Sequence, residues 1–527
     1  MKKIIKKFII TVIVILPLLV SISYIQTRLN KIREEKQLID TTVVENATPM
    51  IAFITVALGS FRGLAADFLW LRVNEMQMDG KYYEMYQLST WIAQLQPRFS
   101  GSISHLAWNM AYNVSVTCSS HKDRWRWVNK GIALIRDQAI PNNPTDPVLY
   151  KELAWIYIHK IGNVMDEANL YYKNRMAIEL MQVFGSADPD WKKFVEAPRT
   201  FSDLCKEINI TQKEFLNILK SNDFNSLKSF VKAFRKTGKI PKITTDAFSK
   251  HNLELIEYFL RASWMRQEYK LDPETIWAIN ERYGKLDWRL PSSHTIYWAT
   301  KGIENAGKGK DTAECSKLIS IGLHDAALTG KMIMLDPNKP YTFMAIPNFD
   351  VFDAVIAEDK KSVKDISGDK NFSVGLQNFL KDIIVLSYTY GKYSIADKYY
   401  AMLEKEFPGF YGKSMEDFAM QKWKEDAKVA ILKQAYDVVS GLLYRAYYFA
   451  AAGDDDAARA SVNLAQAFYN MYLKQHSDDQ KRVGLPPMKE IKKYMREVFK
   501  NSMGIDADKI IIPNTKRKPK INLNKNK

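Results

Sequence analysis

The sequence predicts an all-α protein, a solenoid of antiparallel helix pairs with a divergent helical insert, set behind one N-terminal transmembrane helix. Three observations carry that expectation. Apolar residues recur at helical spacing from Pro49 onward, with no sustained apolar/polar alternation between hairpin turns. The tripeptide Gly-Lys-Tyr occurs at Gly80–Tyr82 and again at Gly391–Tyr393, and a proline follows each at the same offset, Pro97 and Pro408. Finally, the uncharged run FIITVIVILPLLVSISYI, Phe8 to Ile25, follows the basic start MKKIIKK. The bulk composition agrees: of 527 residues, 46% are hydrophobic and 26% charged, enough to bury a sizeable core.

The first element is the anchor, behind a short basic tail at residues 1–7. Phe8–Ile25 sits at the short end of the roughly 17–25 residues a spanning helix needs. A cleaved signal peptide is the competing reading, but Ser21-Ile22-Ser23 is a poor small-residue cleavage site. Membrane helices tolerate a proline such as Pro17. Lys2, Lys3, Lys6 and Lys7 balance Arg28, Lys31, Arg33 and Lys36 across the run, and the free α-amino group tips the count. The expected orientation is N-terminus in the cytoplasm and body outside it, single-pass. After a linker at 26–48, the run Met50–Leu71 is interrupted by Arg62 and Asp67, and its uncharged part suits a buried core helix better than a second span.

The formal charge of +17 is concentrated at the ends. Residues 1–36 hold eight Lys and Arg against Glu34 and Glu35, and residues 509–527 hold seven with no acid. The body between is close to balanced, which argues against a nucleic-acid surface. The tail, assigned to residues 506–527, lacks a helical pattern. It is a candidate contact for anionic lipid or a cell-wall polymer.

Helix pairs then follow in series. Leu69, Val73 and Met76 open one unit, and Ile103, Leu106, Ala107 and Met110 open the next. Tyr150, Leu153, Ala154 and Tyr157 open a third after Pro144 and Pro147, with Ala168 and Tyr172 in its second helix. Cys118–Asp123 reads as a loop. Residues 186–270 read as a Lys-rich insert, and 271–505 as a C-terminal run of pairs. Within that run Leu380, Ile383, Ile384 and Ser387 face Ala396 and Tyr400, and Pro408 closes the unit. Weaker pairs surround Tyr297, Trp298 and Ala313, and Leu442, Ala446 and Phe449 followed by Gly453 and Ala458.

This arrangement resembles the tetratricopeptide superfamily over about half of the chain, including one step of about 34 residues from Leu69 to Ile103. The blocks FRGLAADFLWLR (61–72), WIAQLQPRF (91–99), RWRWVNKGI (124–132), LYKELAWIYIHKIG (149–162) and DWRLPSSHTIYWA (287–299) also resemble a group of bacterial membrane-anchored repeat proteins. The resemblance implies fold and anchoring and supplies no activity.

Chemistry-bearing patterns are sparse. Cys118, Cys205 and Cys315 form no C-x-x-C, and Cys118 with His121 lacks the second ligand pair that zinc requires. Gly302–Lys308 imitates a phosphate loop, yet Gly309 replaces the hydroxyl residue and helical sequence precedes it. His159 and His294 sit among aromatics, and Asp454–Asp456 suit an N-cap. No catalytic, cofactor or metal residues are assigned. In solenoids the first helices of successive units line a concave face that binds peptides. Here the candidates for a partner groove are Asn74, Trp108, Tyr112, Trp155 and His159, with Trp108/Tyr112 and Trp155/His159 each four apart. The alternative for these rings is packing between helices. The Lys-Asn pattern of tetratricopeptide clamps is not reproduced. The expected function is a membrane-anchored scaffold that binds other proteins at the bacterial envelope. Two alternatives stand beside it: an enzyme acting on cell-wall glycan, or an accessory subunit of an integral-membrane complex, which would expose a large apolar patch near Met50–Leu71.

Overall fold

The computed structural model describes residues 61–96, 99–241, 248–336, 343–365, 370–409, 411, 414–476 and 484–505, with scattered positions between 17 and 32. The anchor at 8–25, its flanks at 1–7 and 26–48, and the basic tail at 506–527 fall wholly or largely outside the described residues. Among the described residues the fold is all-α, 77% helical and 2% strand. Among the described residues no helix is long and apolar enough to cross a membrane. Two compact units emerge, Met1–Phe99 with Asp137–Pro144, and Ser100–Arg136 with Thr145–Lys527.

In the first unit α1 (Phe61–Met78) packs along α2 (Tyr82–Leu95). Gly80 joins them in the left-handed region, φ +70°. There the Lys81 N–H reaches back to the Met76 carbonyl at 2.9 Å, a glycine-terminated helix end that satisfies carbonyls otherwise left open.

The second unit begins with α3 (Ser100–Trp108), α4 (His121–Ala133), α5 (Pro147–Trp155) and α6 (Asn169–Phe184). The Ser120 hydroxyl accepts the Asp123 N–H, so α4 starts at His121 and the loop expected over Cys118–Asp123 shrinks to its first residues. Both α3 and α5 widen into π-helical stretches, Asn109–Val114 and Ile156–Gly162. In the first, the Ser115 N–H bonds to the Met110 carbonyl, five residues back.

The insert follows: α7 (Trp191–Glu196), α8 (Phe201–Glu207), α9 (Gln212–Ser221), α10 (Leu227–Thr237) and α11 (Lys250–Trp264). Thr211 and Glu214 form a capping box that starts α9. Next come α12 (Pro273–Tyr283), α13 (Pro291–Glu304) and α14 (Ala313–Thr329). Here the chain returns on itself, because α13 lies against α5. Tyr157 stacks on His294 at 4.9 Å, the Thr295 hydroxyl donates to the Ala154 carbonyl at 3.3 Å, and Gly302 leaves room for Tyr150.

A two-stranded antiparallel hairpin, β1 (Lys331–Met334) and β2 (Phe343–Ile346), is tied to the start of α13. The buried pair Arg289–Asp287 (2.7 Å) clamps the Met332 backbone, Asp287 accepting its N–H at 2.9 Å and Arg289 donating to its carbonyl at 2.6 Å.

The chain then runs through α15 (Phe352–Asp365), α16 (Lys370–Thr389), α17 (Tyr393–Glu406), α18 (Met415–Val429), α19 (Leu432–Ala451), α20 (Asp455–Gln475) and α21 (Met488–Met503). Gly391 (φ +73°) turns α16 into α17, and Gly453 (φ +81°) turns α19 into α20. Both repeat the closure seen at Gly80, Lys392 N–H to Ser387 O and Asp454 N–H to Phe449 O, each 2.9 Å. Leu380, Ile383, Ile384, Ser387 and Ala396 are fully buried between α16 and α17. A Cβ on Gly391 would stand 2.9 Å from the Asp456 carbonyl, so the first hairpin's turn lies directly on α20.

Candidate functional site

In the second unit α3, α5 and α14 border a cleft of about 590 Å³. Trp108 and Trp155 supply its aromatic wall, and Val148, Leu318 and Ile321 supply aliphatic surface. Two carboxylates, Glu152 and Glu314, and two ammonium groups, Lys151 and Lys317, also line it. Lys151 and Glu152 pair at 2.5 Å. Trp108 is 39% exposed, a large ring left facing solvent.

The rings form a continuous file. Centroids lie 5.3 Å apart between Trp108 and Tyr112, 5.6 Å between Tyr112 and His159, and 4.7 Å between His159 and Trp155. Each tryptophan sits at the end of a regular helix and its partner four residues on lies in the widened turn. The π-helical turn brings residues four and five apart nearly over one another, which explains the stacking. Tyr112 hydroxyl and His159 Nδ1 share a hydrogen bond of 3.3 Å that ties the two helices together. Burial, with the charge of Glu152 behind it, pushes the Tyr112 phenol well above its ordinary range.

Behind the file the buried Lys160 ammonium lies 5.3 Å from the Tyr112 ring and 2.6 Å from Asp166. Burial alone would raise the Asp166 carboxyl. Hydrogen bonds from Lys160 and the Ala168 N–H, with Arg124 at 3.6 Å, outweigh it and hold the group below the usual carboxylate range. This network fixes the end of the π-helical stretch and so the pose of His159.

Of the residues expected to line a partner groove, Trp108, Tyr112, Trp155 and His159 come together, two lining the cleft and two supporting them. Asn74 is exposed on α1, in the first unit. Sequence spacing missed the α14 wall, because Leu318 and Ile321 reach the cleft only through the return of α13 and α14 to α5. Its one trace in the sequence is that blocks 149–162 and 287–299, singled out together, pack against each other.

A second cleft, about 700 Å³, opens between α4 and α6. Other expected positions find structural roles. Asp454 N-caps α20 by accepting the Ala457 N–H at 3.1 Å. His294 is fully buried with Nε2 3.0 Å from the Trp288 carbonyl, and burial lowers its pKa to about 4. Gly302 lies within α13, so a helix precedes the phosphate-loop look-alike. Cys118, Cys205 and Cys315 are free thiols. No family model matches the chain, and neither a curated protein nor a solved structure matches it.

Proposed function

We propose that this protein is a membrane-tethered, tetratricopeptide-like helical-repeat adaptor that captures a polypeptide partner in the cleft between α3, α5 and α14. Phe8–Ile25 is the tether, and the body lies outside the cytoplasm. Support for the repeat reading is the shared closure at Gly80, Gly391 and Gly453, where three helix pairs end their first helix alike.

The observation that carries the binding assignment is the pair of tryptophans, held open at the cleft and braced from behind by Tyr112 and His159. Rigid aromatic anchors lose little conformational freedom on binding and bury a large area, so they dominate affinity at peptide interfaces. The expected ligand is an apolar, aromatic or proline-rich segment. Crosslinking and capture with the anchored protein, repeated with Trp108→Ala and Trp155→Ala, tests it. Each variant should lose about 2 kcal/mol of affinity for its partner while keeping its melting profile. Retention of every partner by both variants removes the cleft from consideration.

A second reading, an accessory subunit of a membrane complex, is favoured by one observation. Leu64, Phe68 and Leu71 are each about two-thirds exposed along α1, at the spacing of a single helix face.

A further inference from the structure

The cleft between α4 and α6 is lined by four cations, Lys122, Arg126, Lys130 and Arg175, against one carboxylate, Glu179. Three of the cations repeat every four residues along α4, so they share a face and succeed one another at about 6 Å along the helix axis. Trp125 and Tyr171 form the aromatic wall beside them. We propose that this cleft binds an extended acidic segment of a partner polypeptide, its carboxylates carried on every second residue.

Spacing, charge and side-chain chemistry agree on that occupant. Same-side residues of an extended strand stand about 6.6–6.8 Å apart, close to the step of the cationic ladder. Guanidinium forks at Arg126 and Arg175 suit carboxylates, and both already hold one within the chain. Arg126 pairs with Asp123 at 3.1 Å, and Arg175 Nε donates to Glu179 at 2.8 Å. Glu179 therefore shows how a carboxylate is received at one end of the cleft. The interior is partly dry: burial pushes the Glu179 carboxyl up, and burial together with neighbouring Arg126 pushes the Lys130 ammonium down.

The inference extends the adaptor reading to a second face and is tested apart from it. Fluorescein-labelled (Glu-Thr)5 is titrated against the full chain in detergent micelles, beside (Lys-Thr)5 and an oligothymidylate of matched charge. The acidic peptide should bind, weaken as salt rises, and lose about tenfold or more in affinity with Arg126→Glu/Lys130→Glu. Trp108→Ala should leave this binding unchanged, which separates a failure here from a failure of the aromatic cleft. Arg126→Gln/Lys130→Gln, which removes charge without reversing it, should give an intermediate loss. Absence of peptide binding, equal affinity in the charge-reversed chain with an unaltered melt, or tighter binding of the oligothymidylate would each overturn the proposal.

Discussion

The hairpins α16–α17 and α19–α20 and the helices α3 and α5 draw on similar apolar and aromatic residues but use them differently. In the hairpins most rings point inward: Phe449 is fully buried and meets Tyr390 at 5.5 Å, and each turn closes on a left-handed glycine. In α3 and α5 the helical register slips into π-helical stretches, which present Trp108 and Trp155 at a cleft and leave ionised groups buried behind them. Met110, Ala111, Ile156 and Ile161 of the widened turns are as buried as the hairpin cores, so the change of register alters which rings stack beside the cleft without loosening the packing behind them.

Phe449→Ala should have the largest effect on this contrast. Emptying a ring-sized site in a regular hairpin should cost about 3–5 kcal/mol in denaturant unfolding, with little dependence on pH. A cost under 1 kcal/mol would mean that the hairpin core is loosely packed after all.

Next in size is a pH effect confined to the other region. His294, against Tyr157 of the π-helical stretch, has its pKa lowered from 6.5 to about 4. Between those values the unfolded chain binds a proton that the native state refuses, so stability rises with pH across that window and is lost as pH falls from 6.5 to 4. The loss should reach about 3 kcal/mol. In His294→Asn that part of the slope should vanish, and an unchanged slope would assign it to other groups.

The smallest effect separates two copies of one turn. Gly391→Ala and Gly453→Ala both place a side chain at positive φ, but of the two only Gly391 has neighbours within 4 Å of that side chain, the Asp456 carbonyl and the Ala460 methyl. Gly391→Ala should cost about 1–3 kcal/mol and Gly453→Ala the lower end of that range, read as shifts in the unfolding midpoint. Equal costs would show that the turn yields without disturbing α20.

The regular region was the legible one. Leu380, Ile383, Ile384 and Ser387 repeat at helical spacing, and that spacing alone places them in the core. Gly-Lys-Tyr at Gly391 marks its turn because only glycine takes that backbone conformation without strain. The pairing of Trp108 with Tyr112, and of Trp155 with His159, was legible for the same periodic reason. Contact between those two pairs was not, since it depends on π-helical stretches that periodicity does not reveal. Nor was the placement of α13 on α5, which joins residues well over a hundred positions apart, with the insert looped out between them. The Lys122, Arg126 and Lys130 ladder was open to view, but a run of charges on one helix reads as solvated surface until a second helix walls it in.

The contact of Gly391 with the Asp456 carbonyl bears on how the protein breathes. The turn faces the Asp456 carbonyl and the Ala460 methyl, neither of which has a rotamer to swing aside, so parting it from the first turns of α20 requires the backbone to move. Amide protons on both sides should therefore exchange with solvent in one cooperative event, so that α16 to α20 behave as a single foldon.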